Sequence, residues 1–568
     1  MIKILGIKYG GHDTSAALLI NGKIVAAAAQ ERYTHDKHSR IFPINAIKDC
    51  LKIGKISIND IDEIAYVNDI NLLIREMYLR PALNNDHRLD FLIKDLEKID
   101  KIYNFKEKIR KELKFKGKIK NYRHHLCHVA SSYYSSGFKN ALCLSIDGFG
   151  EHETGMFVSG VNGKLNILSK ENVYPHSLGL LYSAITYFLG WKNHCDEGII
   201  MGLASYGNSK NKIPGSNKSY LSIFREILED KKNLKYHINS NFIDYYTTRN
   251  KWVTKKFVKI FGKKRDYKNK ITQHHKDIAA ALQDRLEEIV LSHLKYAKKK
   301  YKFDKLCLAG GVALNCSLNG KIAKSKIFDE IFVFPASGDD GCAVGACFLS
   351  YKDKVKKFSP KRNMNFYIGS SFSDKKIEQE AKKLKLKFKR SKNIYSEVAS
   401  YLKEGKIVAW FQGGAEFGPR ALGNRSILCK PFPIKMRDHL NKRVKFREEF
   451  RPFAPAVLGQ YQKKFFDLKQ ESPHMLIACE AKETNKHLIP AVVHVDNTCR
   501  VQTVTEKYNK RFFKLIKEFY KLTNIPVVLN TSFNVKGQPI VNNPIEAIKT
   551  FRKTNIDVLA IGKIIAIK

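Results

Sequence analysis

Acidic residues are scarce in this sequence: Asp and Glu number 55 against 101 Lys and Arg, a formal net charge of +46 over 568 residues. So lopsided a balance first suggests a polyanionic partner such as nucleic acid. Yet the pattern that specific nucleic-acid contact favours, Arg-rich stripes interleaved with stacking aromatics, is missing. The excess is Lys spread over helices and loops, as at 298–300, 352–357 and 382–389. Nucleic acid is therefore not expected as a partner. The stretch 245–270, with Trp252, Phe257 and Phe261 among its cations, comes closest; it reads first as a solvated face, with an anionic partner as the alternative.

Cysteines in ligand or disulfide spacing are absent too. The 11 cysteines include no C-x-x-C pair, and Cys143, Cys307 and Cys347 lie in apolar runs, which excludes a zinc knuckle or a disulfide framework and predicts reduced, buried thiols. No run approaches the roughly 18 apolar residues that a membrane-spanning helix needs. Residues 1–6 lead straight into a strand pattern rather than a signal peptide. The expectation is a cytoplasmic protein with no membrane partner, self-association being left open.

What is present is a small pattern written twice. Ile4 to Ile7 leads through Gly10-Gly11-His12-Asp13 to Ala16–Ile20 and an Asn21-Gly22 turn; Leu142 to Ile146 leads through Asp147-Gly148-Phe149-Gly150-Glu151 to Gly155–Val158 and an Asn162-Gly163 turn. Each copy reads as strand, glycine turn with an acid, strand, tight hairpin, strand, because Asn-Gly supplies the positive φ values of a type I′ turn. Glycines often merely turn a chain, but two matching copies suggest a duplicated half-domain whose facing turns hold phosphates or a metal. The length implies two or three domains. Residues 1–352 form the first, with a long amphipathic helix at 274–300 leading into a strand at 306–309. A basic, Pro-containing linker covers 353–365, and a second α/β unit covers 366–568.

If residues 124–132 are helical, His124 and His128 share one face, as two imidazoles on one ion require, while His125 points elsewhere. A third ligand comes from Gly338-Asp339-Asp340-Gly341, where Asp339 is the first choice, and a carboxylate with two imidazoles suits Fe²⁺, Mn²⁺ or Mg²⁺. The bland alternative is a surface helix with chance histidines.

Several blocks then become familiar: Gly11-His12-Asp13, Gln30-Glu31-Arg32, Lys37-His38, the His124/His128 pair and 201–207; and downstream 416–426, 444–448, 450–455, 494–496, 500–502 and 529–534. Together they resemble the O-carbamoyltransferase family, which includes nodulation-factor, cephamycin and aminoglycoside carbamoyltransferases. One departure is Ile199-Ile200 before Met201, where relatives often carry Lys. The resemblance implies an α/β protein with a duplicated actin/hexokinase-like, TsaD-like transfer domain followed by a YrdC-like domain. It further implies that ATP, with Mg²⁺, and carbamoyl phosphate yield carbamoyladenylate, whose carbamoyl group passes to the hydroxyl of a small acceptor with help from an Fe²⁺-like ion.

The residues divide accordingly. Arg420, Lys445, Arg451 and Arg500 are fixed cations suited to phosphate oxygens, with Arg420 assigned to the nucleotide. Asn530 and Ser532 can donate to and accept from a carbamoyl group; Arg425 and Arg447 read equally well as scaffolding. In the first domain, Asp147 holds the ion directly or through water, His12 is the expected base, and Gly310, Gly311 and Asn315 are expected to hold the nucleotide at a helix start. Two other readings remain open: a tRNA-modifying threonylcarbamoyl-type enzyme, and a non-catalytic nucleotide- or nucleic-acid-binding protein.

Overall fold

A computed structural model describes residues 1–170, 172–231, 233–248 and 250–568. Two compact units emerge: Met1–Val25, Arg40–Ile44 and Gly54–Arg362 form one, and Ala26–Ser39, Asn45–Ile53 and Asn363–Lys568 form the other. The sequence reading had given everything before residue 353 to the first domain. Two early segments instead count with the second unit, through contacts remote in sequence that a composition scan along the chain does not register.

The first unit is built on two like sheets. β1 (Lys3–Lys8), β2 (Ser15–Ile20), β3 (Lys23–Ala29), β4 (Glu63–Val67) and β5 (Lys118–Tyr122) lie in the order β3-β2-β1-β4-β5. β6 (Asn140–Ile146), β7 (Gly155–Val161) and β8 (Lys164–Ser169) are followed by a separate hairpin of β9 (Leu228–Lys231) and β10 (Lys235–Ile238), then by β11 (Lys305–Ala309) and β12 (Glu330–Val333). The second sheet has the order β12-β11-β6-β7-β8. In both sheets the first strand runs antiparallel to its hairpin partner and parallel to the later strand beside it. This is the duplication that the echoed motif predicts, and the fold is α/β with two like halves. The turns obey their residues: Asn21 and Gly22 have φ of 48° and 78°, Asn162 and Gly163 of 51° and 79°, the doubly positive values of type I′ hairpins.

Two helices set the functional geometry. His124–Ser136 is buried along nearly its whole length and ends at Gly137, whose φ of 77° forms a left-handed C-terminal cap. Cys342–Lys354 packs against it, and the contact depends on Gly345: a Cβ there would come within 1.8 Å of the Cys127 carbonyl oxygen. Only a glycine lets the two backbones approach so closely, and that approach holds the Asp339 turn over His124 and His128. The long helix runs Gln273–Tyr301, as its apolar spacing predicts.

The second unit carries one eight-stranded sheet in the order Lys389–Arg390, Ile564–Ile567, Val558–Ile561, Val408–Phe411, Arg425–Cys429, Val527–Ser532, Ala454–Leu458, Gln502–Val504. Helices Ile394–Lys403 and Lys510–Thr523 bury Val398, Leu402, Phe512, Leu515 and Phe519 against Trp410 and Val528 of the sheet. Each such side chain contributes about 1.5–3 kcal/mol. The Trp410 indole N–H donates to the Gly423 carbonyl at 2.9 Å, so its burial leaves no orphaned donor. Among the described residues no helix is long and apolar enough to cross a membrane.

Candidate functional site

Four side chains meet in the first unit. His124 and His128, one turn apart, aim Nε2 at the same point, 3.0 Å from each other. Asp147, at the end of β6, places Oδ2 3.2 Å from His124 Nε2 and 2.9 Å from His128 Nε2. Asp339 brings Oδ1 to 3.4 and 3.7 Å from the same two nitrogens. Ligands about 2.1 Å from one first-row ion stand roughly 3.0–3.4 Å apart in octahedral or tetrahedral geometry, so these donors have the spacing of a single ion's coordination shell. The donor set of two imidazoles and two carboxylates fits Fe²⁺, Mn²⁺ or Zn²⁺, and Cys342 Sγ also lies within reach of the two imidazoles.

Electrostatics agree with this fit. Burial alone would push the His124 imidazole down, but the Asp339 carboxylate, with further help from Asp147, carries it up to about 10. Asp339 is held well below the usual carboxylate range: burial opposes ionisation, and Lys8, His124 and His12 overcome it. Two buried carboxylates this close repel unless cations intervene. Lys8 is one such cation, buried at the end of β1 with its ammonium 3.1 Å from Asp339 Oδ2; a divalent ion between the four donors would be the other.

Neighbouring groups fix the donors. Asp147 Oδ1 accepts N–H bonds from Gly148 at 2.8 Å and Gly311 at 3.2 Å, leaving Oδ2 to the histidines. A Cβ on Gly311 would lie 2.8 Å from Asp147 Oδ1, so glycine is what allows that approach. Gly310, at φ 90°, turns the chain into it. Glu151, fully buried, accepts the His124 N–H at 2.9 Å and caps the start of the helix. His125 is hydrogen-bonded to Ser145 and, at 2.8 Å, to the Glu153 carbonyl, a structural role that matches its opposite facing. Lys8 and Glu151 were missed in the sequence; their signal was an isolated charge abutting each glycine turn.

His12 lies in the first glycine turn, about one-third exposed, its Nδ1 2.8 Å from Asp13 Oδ2. Burial pushes its pKa down, but Asp339 and Asp13 together raise it. The Asn315 side chain is committed elsewhere: it accepts from Leu318 N–H at 3.0 Å as a helix cap and exchanges amide bonds with Gln283. The backbone of the 310–311 turn is committed as well, the Gly310 N–H to the Ser337 carbonyl at 2.9 Å and the Gly311 N–H to Asp147.

In the second unit the cations gather. The Lys445 ammonium is buried, donating to the Ser532 carbonyl, to Asn534 Oδ1 at 2.8 Å and to the Asn534 carbonyl at 3.0 Å. Burial, with Arg447, Arg451 and Lys37 beside it, pushes Lys445 well below the ordinary ammonium range. Arg447, stacked 4.3 Å over Phe453, is pushed down by burial and by Arg451 and Arg500. Like charges held this close create a site that favours an anion. Arg451 is half-buried, 3.6 Å from Glu448. Ser532 lies against Lys445 at 3.3 Å. Asn530 is buried deeper, donating to Gln502 at 2.8 Å and to the Ala421 carbonyl at 3.2 Å, with its Oδ1 unpartnered. Arg420 stands half-buried in the loop before Arg425–Cys429.

Arg425 is scaffolding. Fully buried, it donates to the carbonyls of Gln412, Asn424, Ser370 and Gly413 and stacks 3.6 Å over Phe411, while burial brings its pKa down to about 10. Glu416 completes the loop by accepting the N–H groups of Leu422, Asn424 and Arg425. Arg425→Met should destabilise the fold by about 3–5 kcal/mol, the usual cost of breaking a buried charged network. Chemical unfolding measures this, and activity per folded molecule is expected to stay near wild type.

The basic stretch near 255 behaves as a solvated face: helix Lys255–Phe261 buries Phe257 and Phe261 and turns Lys255, Lys256 and Lys259 outward. Arg249 of that stretch lies outside the described residues.

The family described as carbamoyltransferase N-terminus matches residues 3–348, and that described as carbamoyltransferase C-terminus matches residues 399–568. Nodulation protein NolNO of Sinorhizobium fredii is 35% identical over 97% of this chain and 78% of its own length. Nodulation protein NolO of Bradyrhizobium diazoefficiens is 36% identical over 77% of each. Among solved structures, component A of the Acidaminococcus fermentans (R)-2-hydroxyglutaryl-CoA dehydratase aligns over 62% of this chain and 99% of that one, at 14% identity and a TM-score of 0.34. With both family regions matched across most of its length, the chain belongs to the carbamoyltransferase family.

Proposed function

We propose that this carbamoyltransferase is an ATP-dependent O-carbamoyltransferase. It makes carbamoyladenylate in the second unit and passes the carbamoyl group, in the first, to a hydroxyl of a small acceptor such as a sugar, aminoglycoside-like or nucleoside-like metabolite. The observation that carries the reading is the pairing of two unlike sites in one chain: a cation cluster suited to phosphates, and a cluster of two imidazoles and two carboxylates suited to a metal.

The first half-reaction balances as carbamoyl phosphate, ATP and water giving carbamoyladenylate, phosphate and pyrophosphate. Lys445, Arg451 and Arg500 hold the phosphate oxygens, and their mutual repulsion is relieved when those anions arrive. Arg420 faces the nucleotide; Asn530 offers its unpartnered Oδ1 as an acceptor for the carbamoyl amide, and the Ser532 hydroxyl, which donates to Asn534, offers a second acceptor beside Lys445.

In the second half-reaction the acceptor oxygen attacks the carbamoyl carbon, and the bond from that carbon to the AMP phosphate oxygen breaks. His124, His128, Asp147 and Asp339 would hold a divalent ion such as Fe²⁺, which when bound supplies a fixed positive centre for the carbonyl oxygen as it gains charge. The 310–311 turn runs beside Asp147, and its N–H groups hold Ser337 and Asp147 rather than the adenylate phosphate. His12 takes the hydroxyl proton at Nε2, its Nδ1 being held by Asp13; AMP leaves as the carbamate ester forms.

Incubation with ATP, carbamoyl phosphate and candidate acceptors, followed by mass spectrometry, tests the whole: a mass gain of one carbamoyl group on an acceptor is expected, and absence of pyrophosphate release overturns it. His12→Ala should leave pyrophosphate release running while slowing product formation roughly a hundredfold to ten-thousandfold, the span for a lost general base. Equal loss of both would make His12 structural.

A further inference from the structure

Six aromatic side chains of the first unit form a continuous arc that begins and ends beside the metal cluster. Phe149, two residues beyond Asp147, is 41% exposed and meets Tyr174 edge-on at 5.8 Å. Tyr174 lies 6.1 Å from Tyr245, Tyr245 5.9 Å from Trp252, Trp252 5.4 Å from His194, and His194 6.1 Å from His12. At that end the field of His12 acts on Asp339. Core aromatics are buried; all six here are half-buried or exposed.

Hydrogen bonds nonetheless hold the arc in place. The Tyr174 hydroxyl donates to the Tyr245 carbonyl at 3.1 Å, and the Tyr245 hydroxyl donates to the Pro175 carbonyl at 2.6 Å. Arg88, buried beneath, lies 5.7 Å from the Tyr174 ring and donates to the Met77 carbonyl at 2.6 Å. Aromatic rings fixed in place but left partly open resemble a binding platform more than a core, since their ordering cost is met before a ligand arrives. Charges of both signs flank them: at one end Asp13 pairs with His12 at 2.8 Å and Glu197 accepts the His194 N–H at 2.6 Å. Lys264 sits 3.4 Å over the Tyr187 ring, which neighbours Trp252 at 6.4 Å, and the nearby Asp244 carboxylate is already paired with Lys251 at 2.9 Å.

Resting on the function proposed above, we propose that this arc is the acceptor platform, and that it selects a pyranose-type sugar carrying no positive charge. Such a ring presents an apolar C–H face to the aromatic faces and a rim of hydroxyls to the solvent and to His12. One hydroxyl then stands at the end of the arc, where the transfer chemistry lies. A polycationic acceptor would meet Lys264 along the middle of the arc, with the Asp244 carboxylate already paired to Lys251 and the acids at the far end engaged, Asp13 by His12 and Glu197 by the His194 N–H.

Saturation-transfer NMR on the full chain decides the point without needing turnover. Methyl glucopyranoside, methyl glucuronide and kanamycin serve as neutral, anionic and polycationic probes. Expected are signals on the ring C–H protons of the first two and little on kanamycin, at least fivefold weaker in Tyr174→Ala and in Trp252→Ala and restored in Trp252→Phe. In the transfer assay the two Ala variants should raise the acceptor KM at least tenfold with pyrophosphate release unchanged. Signals unaltered in both Ala variants, absence of binding by either glycoside to the wild type, or stronger binding of kanamycin would overturn the platform. A wild-type protein that binds glycosides through the arc but releases no pyrophosphate would instead overturn the carbamoyl-transfer reading and leave the platform standing.

Discussion

Arg451→Ala is expected to reduce carbamoyladenylate formation about 30- to 5,000-fold, the rate equivalent of the roughly 2–5 kcal/mol lost when a charge-assisted contact to a buried partner is cut. The assay is pyrophosphate release from ATP in the presence of carbamoyl phosphate. Arg451 is the best residue for the test because its ion pair to Glu448, at 3.6 Å, is long and its side chain is about a third exposed; little of the fold depends on it. Lys445 carries more structural duty, holding the 532 and 534 carbonyls, so Lys445→Ala should lose the same activity and some stability as well. Chemically supplied carbamoyladenylate should restore transfer in Arg451→Ala. Undiminished pyrophosphate release would remove Arg451 from the phosphate site; lost release without rescue would mean that adenylate formation and transfer share one site.

Much of the site was legible because its chemistry is written in short, local patterns. The i, i+4 spacing of His124 and His128 needs only a helix to bring both imidazoles to one point, and the buried helix His124–Ser136 does so. The Asn-Gly turns fix both hairpins through backbone φ alone, and the repeated hairpin pointed to the duplicated sheet. What stayed hidden depends on tertiary contact. Nothing around Lys8 in the sequence says that it meets Asp339 from more than three hundred residues away, and the aromatic arc joins side chains from five separate stretches. Asn315 shows the reverse case. Its place after a glycine turn suits a ligand contact, but the same place is a helix N-cap, and the cap has taken the side chain. Arg425, read as either phosphate binder or scaffold, was decided by burial and four carbonyl acceptors, which a motif cannot display.

The second large effect concerns the metal. His124→Ala with His128→Ala should lower the divalent metal content of the purified protein from about one per chain, the number expected of one set of four donors, to a trace. Carbamoyl transfer should vanish with it, while pyrophosphate release, which the proposed function assigns to the second unit, should persist. Elemental analysis reads the first, product mass spectrometry the second. Both imidazoles are almost wholly buried, so their removal also leaves cavities, and a loss of metal could follow from a loosened helix. Asp147→Asn separates the two causes. It keeps the shape of the side chain, and its amide oxygen can still accept from Gly148 and Gly311, so the turn should hold; only the carboxylate charge between the two histidines is gone. Metal content should still fall, at least tenfold in affinity, with the circular dichroism and melting temperature near wild type. If Asp147→Asn binds metal as tightly as the wild type, Asp147 is not a ligand. If the double histidine variant does so too, the four-residue cluster is a buried hydrogen-bond network, and the positive centre for the carbonyl oxygen must come from Lys8 or His12 instead.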